Sequence, residues 1–177
     1  MTFRLADSLP ANALQKLEQE LTSLSDSQRD RARRTRIENW LDAGVGCCAL
    51  RHPAVAEVVE SALLRFDSER YRLLCWSVMP NHVHVLIEPL DDLGRIVKSW
   101  KSFVARWAMG NNNSLGLAIP GHRFWMRDYW DRYIRNEAHL QAVMAYIHQN
   151  PVKAGLVDMP ENWRWSSAWR LGKTTSA

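Results

Sequence analysis

Two histidines separated by one valine, His82 and His84 in the stretch MPNHVHVLIEP, are the side chains of this sequence whose type and spacing most directly suggest chemistry. The run around them is apolar and β-branched, which favours a strand, and in a strand alternate side chains share a face. His82 and His84 therefore point one way, roughly 7 Å apart along the backbone, while Val83, Val85 and Ile87 point the other. Imidazoles so placed can converge on one cation, given a third ligand. The same spacing equally suits two ordinary histidines on a half-exposed strand face. Other chemistries drop out. A His-x-His-x-His hydrolase would need histidine where this chain has Leu86. Barrel hydrolases with His-x-His on a strand usually need about 200 residues or more. The stretch GLAIPGHR places His122 and Arg123 where a phosphate-binding loop needs Lys and Ser or Thr, so nothing predicts ATP use.

The elements that must position the pair follow from periodicity. Thr2 to Leu5 suits a short strand. From Pro10, Leu14, Leu17, Leu21 and Leu24 recur at spacings of three and four, as in an amphipathic helix. Ser25 with Gln28 resembles a capping box that opens a second helix, carrying Arg29, Arg31, Arg33, Arg34 and Arg36 and ended by Gly44. That segment reads as a positive rod, either a solvated face or a phosphate-binding one. A third helix from Pro53 carries a core stripe of Val55, Val58, Val59, Ala62, Leu63 and Phe66. RYRLLCWSVM and HVHVLIEP read as the strands of an antiparallel hairpin around the turn MPN. A fourth helix, from about Asp92 to Met109, turns Arg95, Lys98, Lys101 and Arg106 outward. After the loop GNNNSLGLAIPGH, the stretch RFWMRDYWDRYIRN mixes aromatic and cationic residues. Asn136 can cap a fifth helix, Glu137 to about Asn150, which Pro151 should stop. Tyr146 sits at the edge of its apolar stripe, with Asn150 one turn further along the same flank.

Length and composition set the frame. A chain of 177 residues with 46% hydrophobic content suits one domain, 1–177, with the arginine-rich helical pair at about 10–43 as an insertion and a Trp/Arg-rich tail at about 158–177. No run approaches the roughly 18 apolar residues of a membrane span, and MTFRLADSLP lacks a secretory core, so a cytoplasmic protein is expected. Cys47, Cys48 and Cys75 make neither an even disulfide framework nor a paired zinc site, and are expected to be reduced. The net charge of +4 is modest, but the arginines are clustered.

The histidine pair with its central valine matches the HUH group of nucleases. Together FRLADSLP, VMPNHVHVLIEP, DRYIRN, YIHQNPVKAGLV and WRWSSA resemble the REP-associated tyrosine transposases, small bacterial relatives of the simplest insertion-sequence transposases, over almost the whole chain. Two features depart from the pattern: Trp130 stands where a histidine is expected, and the arginine-rich helical pair is longer than in many members. The resemblance implies an α+β fold, a central antiparallel sheet with helices packed on it in a ferredoxin-like or RRM-like arrangement. It implies Tyr146 as nucleophile, and His82, His84 and Asn150 as ligands of one divalent metal. Imidazoles alone would suit zinc or nickel; magnesium or manganese is what the resemblance implies. The partner implied is single-stranded DNA carrying hairpins, the repetitive extragenic palindromes, bound by a bacterial, nucleoid-associated monomer or homodimer. Arg29, Arg31, Arg33, Arg34, Arg36, Lys98, Lys101, Arg123, Arg127, Arg132 and Lys153 are the candidate DNA contacts, and at most two tail or loop tryptophans would stack on bases. The alternative is a DNA-hairpin binder that keeps these residues without turnover.

Overall fold

The computed structural model describes residues 1–9 and 12–174; Pro10, read above as opening the first helix, and the last three residues of the tail lie outside the described residues. The hairpin expected around MPN is present. β2 (Tyr71–Val78) pairs antiparallel with β3 (His82–Pro89), and the Met79 N–H closes the turn on the His82 carbonyl at 2.9 Å. β1 (Thr2–Arg4) pairs antiparallel with the other side of β3, giving the order β1–β3–β2 and setting Thr2 opposite His84.

A ferredoxin-like sheet has a fourth strand beside the first. Here that place is taken by residues 124–130, which run antiparallel to β1 through bridges at Leu5–Trp125 and Thr2–Trp130 without forming a regular strand. With α3 (Pro53–Leu64) before the hairpin and α4 (Leu93–Gly110) after it, the chain traces the β-α-β-β-α-β path of an α+β fold. Both helices cover the sheet face that carries Phe3, Trp76, Val83 and Val85, and there they build the main core with Val59, Trp100 and Val104.

α5 (Glu137–Lys153) covers the opposite face, packing Ile147 onto Cys75 and Leu86. β3 is therefore sandwiched, and its histidines are buried, at 1% and 3% exposure. The half-exposed face that the alternation allowed does not exist. α5 also outruns its expected end. Pro151 lies inside it, removing one N–H donor from the last turn, and the stop comes at Gly155, whose φ of +67° suits glycine.

α1 (Ala13–Glu20) and α2 (Asp26–Asp42) form a hairpin with its own small core of Leu17, Leu21, Ile37 and Leu41, against which Trp130 is packed. At the start of α2 the Gln28 side chain accepts from the Ser25 N–H at 3.3 Å and the Ser25 hydroxyl at 2.8 Å, and Gly44 follows its end at φ +69°. The tail docks on the free edge of β2. The Val78 N–H donates to the Trp165 carbonyl, Trp163 Nε1 donates to the Val78 carbonyl, and α6 (Ser167–Thr174) follows. Arg164 and Arg170 each lie 3.2 Å from the buried Glu60 carboxylate, and Arg164 stacks on Trp165 and Trp169. These tail tryptophans serve packing. Among the described residues, no helix is long and apolar enough to cross a membrane.

Candidate active site

Strand alternation puts His82 and His84 on one face, and packing under α5 does the rest: their Nε2 atoms are 2.9 Å apart. Each ring is held from behind. His82 Nδ1 is 2.8 Å from Asn81 Oδ1, and His84 Nδ1 is 2.8 Å from the Thr2 hydroxyl. Burial pushes His82 down to about 3 and takes His84 well below the ordinary imidazole range, where His82, the Met1 ammonium and Lys153 push it further. Both rings are thus neutral at physiological pH, the state in which imidazole binds metal.

The helix that closes this face brings the tyrosine. Tyr146 sets its ring edge-on to His84, with centroids 5.5 Å apart and planes at 79°. One turn on, Asn150 is 1% exposed and neither its Oδ1 nor its Nδ2 has a hydrogen-bond partner. Two orphaned buried amide atoms are costly, on the order of 1–3 kcal/mol each. Beside two neutral imidazoles, such an oxygen suits a divalent cation. Among the described residues no group of three or more His, Cys, Asp or Glu is placed to hold a metal ion.

α2 forms the third wall. Arg34 and Glu38 line a cavity of about 450 Å³ together with Thr2, His84, Arg132 and Tyr146, and Lys153 of α5 pairs with Asp42 of α2 at 3.1 Å. The helix read as a positive rod thus also turns acidic groups, Glu38 and Asp42, toward Tyr146. The phenol of Tyr146 is raised above its ordinary value by burial first and then by Glu38 and Asp42, while the nearby Asn150 amide works the other way without making a well-formed hydrogen bond.

The cationic residues divide into two groups. Arg29 donates to the carbonyls of Leu21, Thr22 and Leu24, Arg33 to Glu18 at 2.7 Å, and Arg36 lies 3.8 Å from Glu20; these tie α2 to α1. Lys101 donates to the carbonyls of Met126 and Arg127, bracing the irregular edge. Lys98 lies on α4, in the layer opposite the histidines. Arg31, Arg123, Arg127 and Arg132 are exposed, and Arg34 and Arg132 line the cavity itself. Arg4, half-buried near Arg33 and Asp128, is a cation that sequence reasoning passed over, as it did Thr2, Asn81 and Glu38. Of these four, only Asn81 carried a signal, its place next to His82.

Residues 51–150 match the family model described as "Transposase IS200 like". The chain belongs to the IS200-like transposase family. Its relatives in that family include the REP-associated tyrosine transposase of Escherichia coli K12, 25% identical over 118 residues that cover 64% of this chain and 65% of the relative. A putative REP-associated tyrosine transposase of Haemophilus influenzae is 27% identical over 101 residues, 52% of this chain and 56% of the relative. An uncharacterised H. influenzae protein is 21% identical over 145 residues, covering 60% and 77%. The chain thus spans less than two thirds of the two named relatives. A solved structure of a REP-associated tyrosine transposase bound to a REP hairpin superposes with a TM-score of 0.51 at 24% identity over 67% of each chain, which shows that the fold is shared.

Proposed function

We propose that this protein is a metal-dependent single-stranded DNA transesterase that cleaves and rejoins hairpin DNA of the REP type through a 5′-phosphotyrosine intermediate. The observation that carries this reading is the placement of the Tyr146 ring against His84 of a converging histidine pair, one turn from the partnerless buried Asn150. His82, His84 and Asn150 would hold Mg²⁺ or Mn²⁺, which when bound neutralises a non-bridging phosphate oxygen and fixes the phosphorus for in-line displacement. Tyr146 supplies the nucleophile: its oxygen bonds to phosphorus as the P–O3′ bond breaks, leaving the 5′ phosphate on tyrosine and a free 3′ hydroxyl. Glu38 faces the phenol and is placed to take its proton as the O–P bond forms, while the departing 3′ oxygen takes a proton from water; in reverse the attacking 3′ hydroxyl gives its proton to water and Glu38 returns its own to the departing phenolate. Bond energy is conserved, so no nucleotide cofactor is needed. Arg34 and Arg132 line the cavity and would meet the phosphates on either side of the scissile bond.

Incubation of end-labelled single-stranded hairpin DNA with the protein and Mn²⁺, followed by denaturing electrophoresis, tests the reading. A protein-linked band is expected with wild type and with Tyr133→Phe, and none with Tyr146→Phe, which removes one hydroxyl and leaves hairpin affinity unchanged. Tight hairpin binding with no adduct under any Mg²⁺ or Mn²⁺ condition would instead make the protein a non-catalytic binder.

A further inference from the structure

We propose that Asn81 is a positioning residue that fixes His82 as its Nδ1–H tautomer and so aims a free Nε2 lone pair at the cation site. The inference rests on the reading of His82 as a metal ligand. Asn81 is fully buried and both ends of its amide are committed. Its Nδ2 lies 3.0 Å from the Val45 carbonyl, which can only accept, so that end must be the NH₂. The end facing His82 Nδ1 at 2.8 Å is then the carbonyl oxygen, which can only accept in turn. His82 must donate from Nδ1, leaving Nε2 bare. The Asn81 backbone carbonyl takes the Leu5 N–H at 2.8 Å, which fixes the main chain, while the Val45 carbonyl fixes the side-chain amide, whose flip would set its NH₂ against His82 and its oxygen against another acceptor.

The second histidine is arranged differently. With His82 Nε2 unprotonated, the 2.9 Å contact requires His84 Nε2–H as donor, and the Thr2 hydroxyl then donates to His84 Nδ1. A hydroxyl can reverse, so His84 can move its proton to Nδ1 and offer Nε2 to a cation while Thr2 becomes the acceptor. Asn81 presets one ligand, and Thr2 permits the other to change without any net gain or loss of protons. Partners behind ligating histidines ordinarily govern metal affinity in this way.

Two substitutions separate positioning from simple anchoring. Asn81→Leu removes both amide contacts; Asn81→Asp keeps an acceptor for His82 but loses the NH₂ donor to Val45, as Leu does. Long-range ¹H–¹⁵N correlation spectra of the metal-free proteins should show His82 as Nδ1–H in wild type and Asn81→Asp, and shifted toward Nε2–H in Asn81→Leu. Calorimetric titration with Mn²⁺ should find affinity lowered about 10- to 100-fold in Asn81→Leu and undiminished in Asn81→Asp. An Nε2–H His82 in wild type overturns the inference whatever the variants do. So does equal loss of affinity in both variants, which would reduce Asn81 to a loop anchor, or wild-type affinity in Asn81→Leu. Wild type that binds no Mn²⁺ fails the metal reading itself, and the ring shifts still decide whether Asn81 sets the tautomer.

Discussion

At the scale of single residues, the site is built from groups that the fold would be more stable without. Asn150 buries an amide whose oxygen and nitrogen have no partner, and the usual account of such a group is a ligand that satisfies it. Replacing it with leucine, of similar branching and no polar atoms, should raise the stability of the metal-free protein by on the order of 1–3 kcal/mol, read as a higher urea midpoint, while abolishing Mn²⁺-dependent adduct formation. A lower midpoint would mean that ordered water already satisfies the amide. A period of two puts His82 and His84 together and a period of 3.6 puts Tyr146 and Asn150 on one flank, but it was the resemblance of YIHQNPVKAGLV to the transposase pattern, not the spacing, that singled out the tyrosine and asparagine. The sequence did not show that Asn81 and Thr2 back the rings. Thr2, in a three-residue strand, meets His84 only through tertiary packing, and although Asn81 adjoins His82, PN between strands reads first as a turn and does not say that the amide turns back on the ring.

At the scale of elements, α2 shows why a charge run is ambiguous. Its arginines are spaced all round the helix, so some must face α1 and others the solvent or the site. Arg29 holds the turn between α1 and α2 through the carbonyls of Leu21, Thr22 and Leu24, whereas Arg31 is exposed and Arg34 lines the cavity. Arg29→Gln should therefore cost about 1 kcal/mol of thermal stability and leave hairpin affinity unchanged. The double change Arg31→Gln with Arg34→Gln should weaken hairpin binding and reduce the log–log salt slope by about 0.7 to 0.9 for each lost phosphate contact, measured by fluorescence anisotropy across a salt series. An unchanged slope would return both arginines to the solvated face. The sheet edge at 124–130 escaped the sequence reading for a related reason. Three steps along β1, from Thr2 to Leu5, are matched by five along its neighbour, from Trp125 to Trp130, and a ladder so uneven has no hydrophobic alternation to read.

At the scale of the whole molecule, the class of fold was legible because the resemblance implied it and the hairpin and the α3 and α4 stripes were compatible with it, but the layering was not. Nothing in HVHVLIEP says that α5 lies across it, and that burial is what makes the histidines titrate abnormally. The consequence is a dependence of stability on pH with a defined sign. An unfolded chain takes up protons on its histidines near 6.5, whereas folded His82 resists until about 3, and His84 and His148 are lowered as well. Below 6.5 the unfolded state thus binds more protons than the native one, so stability falls as pH falls, by up to about 1.4 kcal/mol per pH unit for each such histidine. Between pH 6.5 and 5 the buried pair alone would cost up to about 3 kcal/mol, a large share of the total for a domain of this size. Melting curves in EDTA at pH 7.5, 6.5, 5.5 and 5 should show this decline in wild type. The double variant His82→Gln with His84→Gln should decline more gently, since what remains comes from half-buried His148 and the N-terminal ammonium of Met1, both lowered chiefly by burial. Parallel curves for the two proteins would mean that the pair is already hydrated or already charged, and would remove the basis for neutral imidazoles waiting at the site.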